Sequence, residues 1–486
     1  MRTFLHKQLK LGETDIGSIR IDNRSRDEIP RLLRGLQHIY CTPELNQKVF
    51  TILQDIVPKG TDINNGRPGM ELWKILVLGS VRLLCNWDYD KLKEIADNHK
   101  TLRQMLGHGI DDDDKIYPIQ TLKDNVRLLT PEALDRINQV VVEAGHQLLG
   151  NKKEPELNAR CDSFVVETDV HFPTDISLLF DAVRKAITLT ARLCAEVDQS
   201  GWRQSEHLIR KVKRYFDKVR RLKYSTSKDT QKRAKRETVI RDAYLAYLSE
   251  VELLLERVCD SLSTLDGLGG GHKKSILEIE YYILHAERQI DQIYRRVISG
   301  ESIPHDEKVF SIFEPHTEWI SKGKAGVPQE LGLPVCIVED QHKFILNHRV
   351  MQRETDVGVA VPLLAETVGK FPNLSSCSFD KGFHSPENQI KLGEILANVI
   401  LPKKGKLSAR DRAREHRDSF RLFRRRHSAV ESAINALENH GLDQCPDHGI
   451  DGFRRYVALA IVAINLHKIG AILRQKERKR KRRSAA

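Results

Sequence analysis

Leu374-Ser375-Ser376-Cys377-Ser378-Phe379-Asp380-Lys381-Gly382-Phe383 reads as a short strand, Leu374 to Phe379, that stops on an acid. The segments around it alternate. Pro362 to Phe371 before it and Pro386 to Leu396 after it read as helices, and Val399 to Leu401 reads as a further strand ending at Pro402. Further toward the N-terminus, Val335 to Glu339 and Phe344 to Val350 form a predicted hairpin with Asp340 to Lys343 as its turn. Toward the C-terminus, His427 to His440 and Phe453 to Leu473 read as helices. An earlier strand begins at Ala159, carries Phe164, Val165 and Val166, and stops at His171-Phe172-Pro173. Between it and the hairpin, Ile176 to about Ile298 is a helical insertion that includes the amphipathic run Tyr244 to Val258. Strands alternating with helices in this order predict a mixed sheet with helices packed on its faces, an α/β fold.

The first 150 or so residues read as helical. Leu72 to Cys85 is apolar on most faces, with its start set by Gly66-Arg67-Pro68-Gly69, and Lys91 to Leu106 continues in helical period. Such a segment suits a compact DNA-reading domain and equally a dimerisation bundle. A chain of 486 residues exceeds one ordinary core. The expected division is 1–150 as a helical domain, 151–175 with 306–473 as the sheet domain, 176–305 as the insertion and 474–486 as a basic tail.

Charge is concentrated. The chain carries +12 overall. Arg203 to Arg236 holds fourteen Lys or Arg against three acids, and Arg474 to Arg483 holds eight against one, so these two segments carry all of the excess and the remainder is net negative. Basic patches release counterions from a phosphate backbone, which points to a polyanionic partner; solvated helix faces are the alternative. With no apolar run of about 18 residues and no apolar leader in Met1 to Lys10, the expected location is the cytoplasm, with no membrane partner. The eight cysteines are scattered without CxxC spacing, so reduced thiols are expected rather than zinc.

Three acids stand out by position. Asp162 lies in Arg160-Cys161-Asp162-Ser163-Phe164-Val165-Val166-Glu167, where an apolar strand makes a carboxylate costly without a partner. Asp380 ends its strand, where open α/β sheets hold ligands. Glu431 lies on a predicted helix, beside the apolar stripe Val430, Ile434 and Leu437. Taken singly, each belongs with the chain's 67 acids, most of them solvated surface groups. Together, on two strands and a helix, they form a constellation of hard oxygen donors suited to Mg²⁺ and to two-metal phosphodiester chemistry.

These stretches resemble the DDE transposases of bacterial insertion sequences, of the group called ISNCY. The resemblance is carried by Cys161 to Thr168 with His171-Phe172-Pro173-Thr174-Asp175, by Asp380-Lys381-Gly382-Phe383, by Val430 to Leu442, and by Gly66 to Met70 with Trp73 and Tyr89. It implies an RNase H-like catalytic domain with Asp162, Asp380 and Glu431 as catalytic and metal-binding residues. It implies two Mg²⁺ ions, with Mn²⁺ as a substitute, and terminal inverted repeats and target DNA as partners, with self-association on DNA. The implied location is bacterial cytoplasm, at the nucleoid. Asp169 and Asp175 compete with Asp162 for the first position, and Asp162 is preferred because it directly precedes the apolar run. Related enzymes often place a basic residue seven positions after the catalytic Glu; here that position is Glu438, so Arg424, Arg425 and Arg426 are expected to hold phosphate instead. Lys211, Lys213, Arg214, Arg220 and Arg221 are expected to contact DNA from the insertion. The rivals are an RNase H-like nuclease that cuts without joining and a non-catalytic DNA-binding derivative of a transposase.

Other signals are weaker. Gly267 to Gly271 with Lys273 and Ser275 has the wrong spacing for a phosphate loop. His316, His342 and His348 lack ligand spacing, Cys445-Pro446-Asp447-His448 is a fragment of a metal site at most, and Trp202 reads as a base-stacking platform or as a helix anchor.

Overall fold

A computed structural model of the chain describes residues 14–22, 24–57, 69–109, 115–150, 156–265, 272–321 and 329–484. The expected start signal at Gly66-Arg67-Pro68 and the glycines 267–271 lie outside the described residues. The chain forms two compact units, Met1–Asp169 with Glu318–Ala486, and Val170–Thr317.

The first unit is built on a mixed sheet: β1 (Leu157–Thr168), β2 (Glu318–Ser321), β3 (Gln329–Asp340), β4 (Ile345–Val350), β5 (Leu374–Phe379), β6 (Asn398–Ile400) and β7 (Gln444–Cys445). The order is β2-β3-β1-β5-β6, with β4 also on β3 and β7 also on β1. β1, β2 and β4 are antiparallel to β3, whereas β5 and β7 run parallel to β1 and β6 parallel to β5. β1 starts two residues before the expected Ala159, and Asp162 lies within it, ahead of its apolar run. The four-residue β2 and two-residue β7 are too short to leave a periodic signal, and sequence reading missed both.

The helices before the sheet are α1 (Glu28–Cys41), α2 (Pro43–Gln54), α3 (Leu72–Leu84), α4 (Tyr89–Asn98), α5 (Lys100–Met105), α6 (Ile119–Val126) and α7 (Pro131–Leu149). The predicted helix over 91–106 divides at His99, whose ring caps α5 by accepting from the Leu102 amide at 3.1 Å. After the hairpin come α12 (Asp356–Lys370) between β4 and β5, α13 (Pro386–Ile395) between β5 and β6, then α14 (Ala409–Glu415), α15 (Asp418–His427), α16 (Ala429–Leu437) and α17 (Gly449–Ser484). The helix expected over 427–440 is thus broken at Ser428 and opens into a wide turn after Leu437.

The expected separate domain over 1–150 is corrected. One buried apolar cluster runs from Ile16 to Ile472 and joins these helices to the sheet. Polar groups tie the same layers: Asn138 of α7 donates to the Ile345 carbonyl of β4 (3.0 Å), Asn465 of α17 accepts from the Ile345 amide (3.1 Å), and Asn465 donates to Asn138 (2.7 Å). Buried amides demand such partners, so the helical layer is positioned by the sheet edge it satisfies. α17 is long and apolar enough by composition to cross a membrane, contrary to the expectation of no such run, but 72% of its apolar window is buried inside the protein, as in a core helix.

α17 crosses α1 at contact distance because glycines face backbone. A Cβ on Gly470 would lie 1.8 Å from the Arg31 carbonyl oxygen, and one on Gly35 would lie 2.0 Å from that of Leu466. Neither carbonyl belongs to a side chain that can turn aside. Gly470→Ala is therefore expected to force the helices apart and cost about 3 kcal/mol or more, read as a lower urea midpoint; an unchanged midpoint would contradict this packing.

The second unit contains α8 (Asp175–Glu196), α9 (Ser205–Arg221), α10 (Thr230–Leu265) and α11 (Lys273–Ile293). It has a core of its own, including Leu179, Val183, Phe216, Tyr247 and Ile283. The unit boundaries, at 169/170 and 317/318, fall at the strand ends rather than at the expected 175/176 and 305/306.

Candidate active site

The parallel register of β1 and β5 pairs Cys161 with Phe379. One step on, it brings Asp162 level with Asp380, with neighbouring strands about 4.8 Å apart. β5 pairs with β1 only as far as Cys161, and β7 takes the same edge from Glu167. Asp162 thus stands at the fork where the sheet edge opens. Glu431 enters on α16, which packs against β1 with Val430 and Leu437 buried and Glu431 left exposed.

Electrostatics link these acids. Burial pushes the Asp162 carboxyl up to about 6, and the charges of Asp380, Asp356 and Glu431 add to the rise; only the hydrogen bond from the Ser163 amide, 2.8 Å, opposes it. His427, at the end of α15, is held below its usual range by burial, while the charges of Asp380 and Glu431 act in the opposite direction. Its Nδ1 lies 3.0 Å from Ser378 Oγ.

Asp356 is the site residue that sequence reading missed. It opens α12 after the Thr355 cap, and its Oδ1 accepts from Ser163 Oγ at 2.7 Å. A Cβ on Gly382 would meet its Oδ2 at 3.0 Å, so it lies against the turn that follows Asp380. The sequence reading began this helix only at Pro362, so Asp356 fell outside it; the Thr355 cap shows that the helix starts at Asp356.

Asp169 lies seven residues beyond Asp162, about 23 Å further along an extended chain, and accepts from Gln444 at 3.2 Å. Asp175 belongs to the second unit, paired with Arg296 at 2.6 Å. Neither is among the charges that raise Asp162.

The donor set suits a hard divalent ion, because a cation relieves the crowding of like charge around half-buried Asp162. Among the described residues, no group of three or more His, Cys, Asp or Glu side chains is placed as a metal-binding cluster. Asp380 and Glu431 are both exposed.

The expected phosphate-holding arginines end α15, just before Glu431. All three are exposed. Arg424 reaches Glu415 at 3.7 Å and Arg426 lies over the Phe423 ring. Glu438 opens the wide turn after α16.

In the insertion, α9 buries Val212, Phe216 and Val219 and exposes Lys213, Arg214, Arg220 and Arg221. Lys211 differs from these, since it pairs at 2.8 Å with buried Glu250. Lys211→Gln is expected to lower stability by about 1 kcal/mol, leaving Glu250 short of a partner. Neutralising Lys213, Arg214, Arg220 and Arg221 is expected instead to flatten the salt dependence of DNA binding by roughly 0.9 in log–log slope per contact. An unchanged slope would make α9 a solvated face.

The remaining signals resolve into packing. Trp202 is buried, donates to Ser261 at 2.9 Å and lies under Arg257, an anchor rather than a stacking platform. Asp447 is held by Arg82 at 2.8 Å and by Arg455 at 3.5 Å. Trp73 is fully buried and donates to the Met105 carbonyl. Cys161, Cys336 and Cys377 are buried free thiols beneath the site. Comparisons of the chain with protein-family models, with curated proteins and with solved structures find no match.

Proposed function

We propose that the chain is a DNA transposase that cleaves element ends and joins them to target DNA by two-metal phosphodiester transfer, acting in the bacterial cytoplasm. The observation that carries this reading is the placement of Asp162 and Asp380 side by side at a forked strand edge, with Glu431 on the helix packed beside them. The strand order supports an RNase H-like catalytic domain. Without the short β2 and β7, the sheet reads β4-β3-β1-β5-β6, with antiparallel pairing up to β1 and parallel pairing beyond it.

Asp162, Asp380 and Glu431 would hold Mg²⁺, or Mn²⁺ in its place, with Asp356 close by. Bound there, the ions would activate an attacking oxygen and stabilise a leaving one. The chain's own residues set the stage. Asp356 anchors the Ser163 hydroxyl next to Asp162, Ser378 contacts His427 behind Asp380, and Arg424, Arg425 and Arg426 present guanidinium groups to phosphate oxygens. The Arg203–Arg236 segment of the insertion, net +11, supplies contacts that add affinity without reading bases. Joining two ends calls for at least two copies of the chain on DNA.

The test is to incubate the protein with the DNA that flanks its own gene. Mg²⁺-dependent breaks at a pair of inverted repeats, abolished by EDTA, are expected. Breaks scattered without regard to sequence would instead favour the nuclease of the same fold.

A further inference from the structure

α17 continues as a helix beyond the core. Its last buried residue is Ile472, yet it runs without interruption to Ser484. The segment from Arg474 to Ser484 contains eight Lys or Arg, one acid and no apolar residue. Like charges recur at helical spacing, as in Arg474, Arg478 and Arg482, which weakens a helix standing alone. Among the described residues, only Lys481 of these eight has a carboxylate within 4 Å, Glu477 at 3.4 Å.

At the base of the extension, α1 adds Arg31 and Arg34. Arg31 pairs with Glu28 at 3.2 Å, and Arg34 reaches Glu477 only at 3.8 Å. The Nε of Arg474 is buried and, among the described residues, has no hydrogen-bond partner. Burial and the charges of Arg478 and Arg31 pull the Arg474 guanidinium below its usual range. Because Gly35 and Gly470 seat α1 and α17 at backbone contact, this cluster is fixed in place.

We propose that the Arg474–Ser484 extension, with Arg31 and Arg34 at its base, is a phosphate-gripping surface for duplex DNA, additional to the basic insertion. The choice of DNA rests on the transposase reading above; the need for a polyanion does not. A helix that lies on a membrane needs an apolar face, which this extension lacks. A single-strand platform stacks bases on aromatic rings, and the extension has none. What remains is contact with phosphates along a rigid helix, which adds affinity and salt dependence without sequence preference.

The test uses the full chain carrying Lys479→Gln, Arg480→Gln and Arg482→Gln, three exposed side chains whose loss leaves the core intact. Binding to a random-sequence duplex is measured across salt concentrations, beside the matching single strand and phosphatidylserine vesicles. The expected result is a log–log salt slope shallower by roughly 2 to 3 on the duplex, with an unchanged thermal midpoint. A second variant, Arg474→Gln with Arg478→Gln, is expected to flatten the slope as well. An unchanged duplex slope in both variants overturns the inference, as does a loss confined to vesicles or to the single strand. Since binding is read without cleavage, a protein that shows the slope change yet never cuts DNA would refute the transposase reading and leave this surface standing.

Discussion

Asp162→Asn is expected to raise the thermal midpoint of the metal-free protein at pH 8 and, on the transposase reading, to abolish activity. The wild-type carboxyl sits at about 6 against an ordinary 3.8, first because of burial and then because of Asp380, Asp356 and Glu431. A raised acid disfavours the folded state once it ionises. Below pH 3.8 both states hold the proton and there is no cost; the cost grows as pH rises toward 6 and is complete above it. The difference corresponds to roughly 3 kcal/mol, or about 5 °C at pH 8. Asparagine keeps an oxygen to accept the Ser163 amide and removes the charge. The stabilisation should therefore shrink as pH falls through that window, and a gain equal at pH 8 and pH 4.5 would contradict its electrostatic origin. Added Mg²⁺ should raise the wild-type midpoint, because a ligand that binds only the folded state stabilises it, and should do much less for the variant.

Glu431→Gln and Asp380→Asn should each reduce cleavage and joining by about a thousandfold or more, since each removes a ligand charge worth several kcal/mol to the transition state. Binding to DNA ends should change little, because most affinity comes from phosphate contacts elsewhere. Both acids are exposed and neither substitution disturbs the core, so lost activity is not lost folding. Normal joining by Glu431→Gln would remove Glu431 from the ligand set. Asp356→Asn tests the acid that sequence reading missed: a smaller loss than the other two would make it a residue that positions Ser163.

Where one element dominates its surroundings, the sequence was readable. β5 was located to the residue, because Phe371-Pro372 and Lys381-Gly382 bracket an uninterrupted run that the core buries from 376 to 379. The hairpin was also found, with its turn Asp340 to Lys343 closed by Asp340 accepting from the His342 and Phe344 amides, although β3 begins at Gln329, six residues before the expected Val335. What failed was what depends on distant partners. The first 150 residues look like a free helical bundle, because the asparagines that tie α7 and α17 to β4 are silent until their partners are known. The helix expected from His427 instead starts at Ala429, because the preceding helix ends at His427 and the chain turns at Ser428. Asp356 was invisible as a site residue because its neighbours, Ser163 and Gly382, are far away in the chain.

A transposase site both cuts and joins DNA. The most direct measurement mixes the purified protein, Mg²⁺, linear DNA ending in the repeats that flank its gene, and a supercoiled target plasmid, and then sequences the products. Covalent joints between the 3′ ends of the repeats and the target are expected with the wild-type chain and not with Asp380→Asn. Broken repeats with no joints, or joints that persist in Asp380→Asn, would contradict the transposase reading.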